Sequence, residues 1–389
     1  MKKWMRIAGI GVLLTGTMTV SCWAAEYTAC ADQMQRMGLF RGTEQGGELD
    51  RVPTRAEAAV MLVRLLGAED EASALDYKAP FVDLKGWEQP YVQYLYENGL
   101  TSGAAPDRYE PEQPCTAQMY AALMLRALGY TEEDGDFSYA DALTRAEEIG
   151  LYDPAVIDTK NFLRDDAVAA SYTALSLMPK GETGTLLDRL TAAGAVGQTE
   201  AQPSQQLFAD YAAYRADTAA WADLTDFGVR GGLQAALRGT DGYQMTVRTE
   251  EYTTVSCADG MAVSEGVLTL QAPAVKPYQQ AYRRETADRP DAAQRAMLYG
   301  YGPVPLALIQ QIDRTRNEWT VTLEGVPQLY REQMWALHQA AGAVWEMPAQ
   351  STLVQTVRSG RIVTQQMTAA LTNGEVRAQI VVIGEIEPA

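Results

Sequence analysis

Apolar and polar positions in the first half of the chain recur at helical spacing, and the block then repeats. In PTRAEAAVMLVRLLG, residues 53–67, Ala58, Met61, Leu62 and Leu65 fall at i, i+3, i+4 and i+7, the stripe of a helix with one buried face. PCTAQMYAALMLRALG, residues 114–129, aligns with it without a gap when Thr54 meets Thr116, and its stripe is Tyr120, Leu123, Met124 and Ala127. Both threonines stand at the N-cap position, where a hydroxyl oxygen can accept from the helix's unpaired N–H groups. Glu57, three residues after Thr54, predicts a capping box. Gly67 and Gly129 stand where these helices should stop.

A second shared piece lies upstream. MGLFRG (37–42) matches NGLTSG (98–103), each at the end of a short helix. A weaker third copy consists of EIGLYDP (148–154) and LRDDAVAASYTAL (163–175). It puts Arg164 at the Arg55 position and Asp166 at that of Glu57, whereas the second copy has Ala117 and Met119 there. Residues 26–195 thus read as three helix–loop–helix units, about 26–79, 80–134 and 135–195. One unit cannot bury its stripe alone; three can bury theirs against one another.

The period changes in the second half. Residues 196–206, VGQTEAQPSQQ, are polar and predict a linker. Residues 207–224 read as a helix with Phe208, Tyr211, Ala212 and Arg215 along one stripe. Strand patterns then dominate. Residues 243–256 and 261–271 flank Asp259–Gly260, TLVQTVR and RIVTQQMTAAL flank Ser359–Gly360, and Asn373–Gly374 leads into a final strand. That strand carries Val376, Ala378, Ile380, Val382 and Ile386 on one face and Glu375, Arg377, Gln379, Glu385 and Glu387 on the other, the mark of a half-buried antiparallel strand. A helix over 327–342 interrupts the strands, with His338, the chain's one histidine, on its apolar stripe among Met334, Leu337 and Ala341. A lone histidine there reads as a packed residue.

The N-terminus changes the setting. Lys2, Lys3 and Arg6 precede an apolar run over 7–20 and then SCWAA, which predicts a signal peptide over 1–25. Cleavage after Ala24 or Ala25, or lipid modification at Cys22, would both give an exported chain. No other stretch is long enough for a transmembrane helix. Loss of Lys2, Lys3 and Arg6 takes the formal charge from −18 to −21, which argues against nucleic acid as a partner. Cys30, Cys115 and Cys257 show no metal spacing, and a Cys30–Cys115 disulfide is open outside the cell. There is no G-x-S-x-G, H-E-x-x-H or phosphate loop, no cofactor is implied, and the carboxylates single out no pair for hydrolysis. Glu132, Glu133, Asp134 and Asp136 lack calcium-loop spacing and read as a solvated loop between units.

FVDLKGWEQPYVQYLYENGLTSG (81–103) and PTRAEAAVMLVRLL (53–66), in three registered copies, resemble the S-layer homology family. The resemblance covers residues 26–195. It implies an all-α pseudo-threefold spindle with grooves between repeats that hold cell-wall polysaccharide, an acidic secondary cell-wall polymer or peptidoglycan-linked glycan, the arginine of T-R-A-E touching the acidic sugar. Carried onto this chain, it makes Arg55 and Arg164 candidate ligand contacts and leaves the Ala117 groove silent. Trp87 could stack on a sugar ring or pack in the core; Asp83 could accept from sugar hydroxyls or cap a helix. A chain this acidic must attract an anion locally, and a guanidinium fork at a helix start does so. The element order of residues 207–389 weakly resembles a lipoprotein-carrier half-barrel, whose concave face could hold an apolar ligand or be filled by its own helices. The expected fold is therefore multidomain: a three-repeat helical spindle followed by an α+β domain with a curved antiparallel sheet. The expected role is that of a non-enzymatic, wall-bound surface protein, with an apolar-ligand carrier or a wall hydrolase as rivals.

Overall fold

The computed structural model describes residues 27–43, 45–220, 302–327, 348–373 and 376–388, and the backbone of the strands 226–238, 244–256, 261–272 and 275–286. The signal segment with Cys22, the 327–342 helix with His338, Cys257 and the Asp259–Gly260 turn lie outside the described residues.

Each unit contributes a short and a long helix. The short ones are α1 (Thr28–Arg36), α4 (Gln89–Glu97) and α6 (Ala142–Glu148); the long ones are α2 (Arg55–Leu65), α5 (Ala117–Ala127) and α7 (Arg164–Ser176). A short α3 (Glu69–Ser73) follows α2. Each long helix touches the other two. They are buried on more than the stripe: Ala56, Val60 and Val63 of α2 are enclosed with Ala58, Met61, Leu62 and Leu65. Helices that meet neighbours on several sides lose the one-sided pattern. The caps form as the spacing predicts. Thr54 Oγ1 accepts from Glu57 N at 3.2 Å, Glu57 Oε2 accepts from Thr54 N at 2.8 Å, and Thr116 Oγ1 accepts from Met119 N at 3.2 Å.

The units dock by a shared backbone pattern. Arg55 N donates to Gln113 O and Ala56 N to Pro111 O, at 2.9 and 3.0 Å. Arg164 N donates to Arg51 O and Asp165 N to Leu49 O, both at 2.9 Å. Counted back from Thr116 and Thr54, these acceptors occupy the same positions, so the start of one long helix caps itself on the loop before another. The side chains repeat the rule: Arg55 Nε donates to Tyr109 O at 2.8 Å and Arg164 Nε to Gly47 O at 3.1 Å. At the remaining junction Tyr152 Oη donates to Ala117 O at 2.9 Å.

The third unit has Leu163 where the others have a capping threonine. Asp166 compensates, its carboxylate accepting from Leu163 N at 2.7 Å and Asp158 N at 2.8 Å. Burial nevertheless outweighs these donors and pushes the Asp166 carboxyl up to about 6. An acid raised on folding destabilises the native state as pH climbs from its unfolded value, near 4, to its folded one. Lowering the pH from 7 to 5 should therefore stabilise the protein by about 1 kcal/mol through this group. Urea unfolding at both pH values checks it: the gain should disappear in Asp166→Asn.

Helix α8 (Leu186–Ala192) leads to α9 (Gln198–Asp217). The stretch read as a linker, 196–206, is thus mostly helix, and the helix expected over 207–224 begins and ends earlier. Its few small residues explain the difference. Ala201 and Ser204 are buried, and Tyr172 Oη donates to Ser204 Oγ at 3.2 Å, while Gln202 and Pro203 between them face water. Helix α9 then joins the halves: Tyr214 Oη donates to Gln355 Oε1 at 2.5 Å, Val304 N donates to Tyr214 Oη at 2.7 Å, and Asp217 pairs with Arg314 at 2.8 Å.

The strands are β1 (Asp226–Arg238), β2 (Gln244–Ser256), β3 (Met261–Ala272), β4 (Val275–Thr286), β5 (Ile309–Thr315), β6 (Glu318–Glu324), β7 (Gln350–Arg358), β8 (Arg361–Asn373) and β9 (Val376–Pro388). They form one antiparallel sheet in the order β4-β3-β2-β1-β9-β8-β7-β6-β5. Ser359 and Gly360 both take positive φ, 51° and 75°, as a two-residue hairpin turn between twisted strands requires. In β9, Val382 and Ile386 are buried and Arg377, Gln379 and Glu385 exposed, the alternation read from sequence.

Val321 and Leu323 of β6, Leu353 of β7 and Met367 and Leu371 of β8 share one apolar core with Tyr214, Val304 and Leu306, and that core continues into the helical units. The expectation of an apolar ligand on the sheet gains no support in β5–β9, where this face is filled by the protein itself. Cys30 and Cys115 are buried and free, so they form no disulfide with each other. The Cys30 thiol donates to Ala307 O, binding α1 to the sheet half instead.

Candidate functional site

A groove of about 470 Å³ opens between the first and second units. Arg55 enters it from the start of α2, and Met119, Leu123 and Arg126 line it from α5. Residues 101–104, Tyr109, Glu132 and Tyr139 complete the wall.

Arg55 is held from behind and open in front. Its Nε is committed to Tyr109 O, its guanidinium carbon lies 4.9 Å from the centre of the Tyr109 ring, and Nη1 meets only the soft Met119 Sδ at 3.4 Å. Tyr109 Oη returns a hydrogen bond to Arg55 O at 3.2 Å. Among the described residues no carboxylate pairs with Arg55. Arg126 is different: it is locked to Glu132 and donates from Nη1 to Leu100 O at 3.0 Å. The Arg126 guanidinium in turn holds the Glu132 carboxyl below its usual range. Two guanidiniums and one carboxylate leave the groove one net positive charge on a strongly acidic protein. Burial pushes the Cys115 thiol, also in the wall, up to about 12, so it is no nucleophile near neutral pH.

Asp83 supports this groove from outside. Its carboxylate accepts from Tyr109 N at 3.0 Å and Glu110 N at 2.8 Å, fixing the loop whose carbonyl holds Arg55. Burial acts against ionisation, but these backbone donors keep the Asp83 carboxyl below its ordinary range. The structure gives Asp83 neither the helix-capping role nor direct contact with the groove, but a positioning one.

Trp87 is 58% exposed and is not in the core. It stands before α4 and is not among the residues that line the Arg55 groove.

Arg164 departs furthest from expectation. Its side chain is 4% exposed, and Nη1 lies 3.4 Å from Glu57 Oε1. Glu57 also takes Arg51, which in turn pairs with Glu48 at 3.0 Å. The Arg164 guanidinium sits 5.9 Å from the Phe40 ring, and burial draws its proton affinity down. The guanidinium of Arg164 thus has an internal carboxylate beside it, which Arg55 lacks among the described residues. Ala117, at the third equivalent position, is buried.

Sequence reasoning missed Tyr109, Arg126 and Glu132. Arg126 was visible as the partner of Arg64 in the aligned copies, and Glu132 as part of an acidic loop. Their pairing depends on a turn that no periodicity announces. Two further carboxylates of that loop are held by Lys180, which pairs with Asp134 at 3.1 Å and Asp136 at 2.7 Å.

No protein-family model matches the chain. An endoglucanase of Bacillus sp. (strain KSM-635) is 40% identical over 81 residues, 21% of this chain and 8% of that protein. A cell surface protein of Thermoanaerobacter kivui is 30% identical over 131 residues, 33% of this chain and 17% of that protein. A cellulosome-anchoring protein of Acetivibrio thermocellus is 32% identical over 88 residues, 21% of this chain and 20% of that protein. The chain thus spans a fifth or less of the length of these relatives. A dehydratase domain of the curacin polyketide synthase superposes with a TM-score of 0.14 at 11% identity, over 46% of this chain and 83% of that one, a likeness too slight to inform the fold. The surface and anchoring relatives support a cell-envelope setting. Among the described residues no helix is long and apolar enough to cross a membrane.

Proposed function

We propose that this is an exported, non-enzymatic protein of the bacterial cell envelope. Its three N-terminal repeats form a helical spindle that holds acidic wall polysaccharide in the groove between the first and second repeats. The second half, residues 207–389, is displayed from that anchor. The observation that carries the reading is the contrast between two equivalent arginines. Arg55 presents an unpaired guanidinium to a groove, and Arg164 is neutralised by Glu57 inside the protein. A carboxylate sugar meeting Arg55 would form charge-assisted hydrogen bonds with a guanidinium already held in place by Tyr109. The similarity to surface and anchoring proteins supports the setting. The Arg55 groove holds one carboxylate, Glu132, already paired, so it offers no acid–base pair for cleaving a glycosidic bond.

Purified protein should sediment with wall sacculi and remain in the supernatant when the acidic polymer has been extracted from them. Equal binding to both preparations would sink the acidic-polymer reading.

A further inference from the structure

A second cavity, of about 600 Å³, lies where the third repeat meets the second half. That size falls within the roughly 300–1,000 Å³ of small-molecule sites. Three parts of the chain build it: α6 and the loop after it, the end of α7, and α9 together with residues 305–307. Its floor is apolar, with Leu151, Ile157, Leu306 and Ala307 all buried.

The rim decides what could bind. Glu147, Glu148 and Asp153 bring carboxylates, of which Glu148 pairs with Arg145 at 2.9 Å and Asp153 Oδ1 accepts from Ala155 N at 2.9 Å; ionised carboxylates accept hydrogen bonds and donate none. Thr173 and Ser176 add hydroxyls whose protons are already spent inward, Thr173 Oγ1 donating to Ala169 O at 2.9 Å and Ser176 Oγ to Thr173 O at 2.7 Å. These two groups therefore offer lone pairs to the cavity. Arg215 is the one cationic side chain in the lining, with Thr144 and Tyr211 supplying further hydroxyls. Apart from Arg215, Thr144 and Tyr211 the polar side chains of the lining are acceptors, so a complement that supplies hydroxyl donors suits it. An acidic polymer is acceptor-rich and would meet three carboxylates against only the guanidiniums of Arg215 in the lining and Arg145 beside Glu148, a rim that stays net negative. A sugar ring without a charge has what remains: hydroxyl donors around its edge and a C–H face to lie on the apolar floor.

We propose that this cavity is a binding site for an uncharged saccharide of one or two rings, separate from the Arg55 groove and of opposite charge preference. The same ligand touches the third repeat and the second half, so occupancy ties the two together.

The test uses the mature full chain and saturation-transfer NMR with cellobiose and N,N′-diacetylchitobiose, with glucuronate as the acidic control. At least one neutral disaccharide should show saturable binding in the millimolar range or tighter, with glucuronate much weaker. Thr173→Val removes an acceptor at nearly constant volume, and Glu147→Gln replaces a carboxylate oxygen with a donor. Each should weaken binding about tenfold, with unchanged unfolding midpoints confirming that the fold is intact. Arg55→Ala should leave disaccharide binding untouched, which keeps this site distinct from the wall-polymer reading. The proposal is overturned if neither disaccharide binds, if glucuronate binds as well, or if both variants bind like the parent. Release of monosaccharide from either probe would overturn it as a binding-only site.

Discussion

Glu57→Ala is expected to destabilise the protein by about 3–5 kcal/mol, the range found when one partner of a buried ion pair is removed. The carboxylate has three duties. It caps α2 through Thr54 N, holds Arg51 at 2.8 Å through Oε2, and neutralises the buried Arg164 at 3.4 Å. Loss of the cap alone costs about 1 kcal/mol; the larger cost is a guanidinium left in the interior without a counter-charge. Glu57→Gln separates the two, because the amide oxygen can still accept from Thr54 N while the charge is gone. It should therefore fall close to the alanine variant. Adding Arg164→Met should restore much of the stability, since a buried pair replaced by an apolar side chain is often neutral or favourable. Urea midpoints of the single and double variants read this directly. Additive losses would show that Glu57 and Arg164 do not depend on each other. The pH dependence has a definite sign. Burial opposes ionisation of Glu57, but Arg51, the Thr54 amide and Arg164 together hold its carboxyl below the usual range. Its contribution is complete above the unfolded value near 4.3 and fades as pH falls through the lower folded value.

Much of this architecture was legible because local rules and repetition agreed. Thr54, Thr116 and Glu57 cap as their spacing requires, Ser359–Gly360 turns a hairpin, and β9 alternates as read. The failures have physical causes. Residues 198–206 look like a linker because Ala201 and Ser204 bury too little side chain to register as a stripe. Arg164 looked like Arg55 because alignment reports position, not what fills the space opposite. Glu57 belongs to the first copy and neutralises the arginine of the third, a relation that exists only once the units dock. Trp87 carries a family mark as Arg55 does, yet it stands exposed and is not among the residues that line the Arg55 groove. The split of charged roles between equivalent positions is written in long-range contacts, which a single chain does not display.

Arg55→Ala should abolish retention on sacculi that carry acidic polymer, lowering affinity by about 10- to 100-fold, the equivalent of about 1.4–2.7 kcal/mol. That is the scale of a lost charge-assisted hydrogen bond. The fold should tolerate the change, because the two backbone bonds that dock this junction, from Arg55 N to Gln113 O and from Ala56 N to Pro111 O, need no side chain. Arg55→Lys is the sharper variant. It keeps the charge but loses the planar fork, and a single ammonium cannot both reach Tyr109 O and meet a carboxylate in two places. It should recover only part of the affinity and show a steeper dependence on salt, as a point charge without directional bonds is more easily screened. Arg164→Ala should behave in the opposite way, lowering the unfolding midpoint while the folded fraction still binds wall as tightly as the parent. Binding lost from Arg164→Ala at full stability, with Arg55→Ala unaffected, would reverse the assignment and place the polymer at the junction that Glu57 closes.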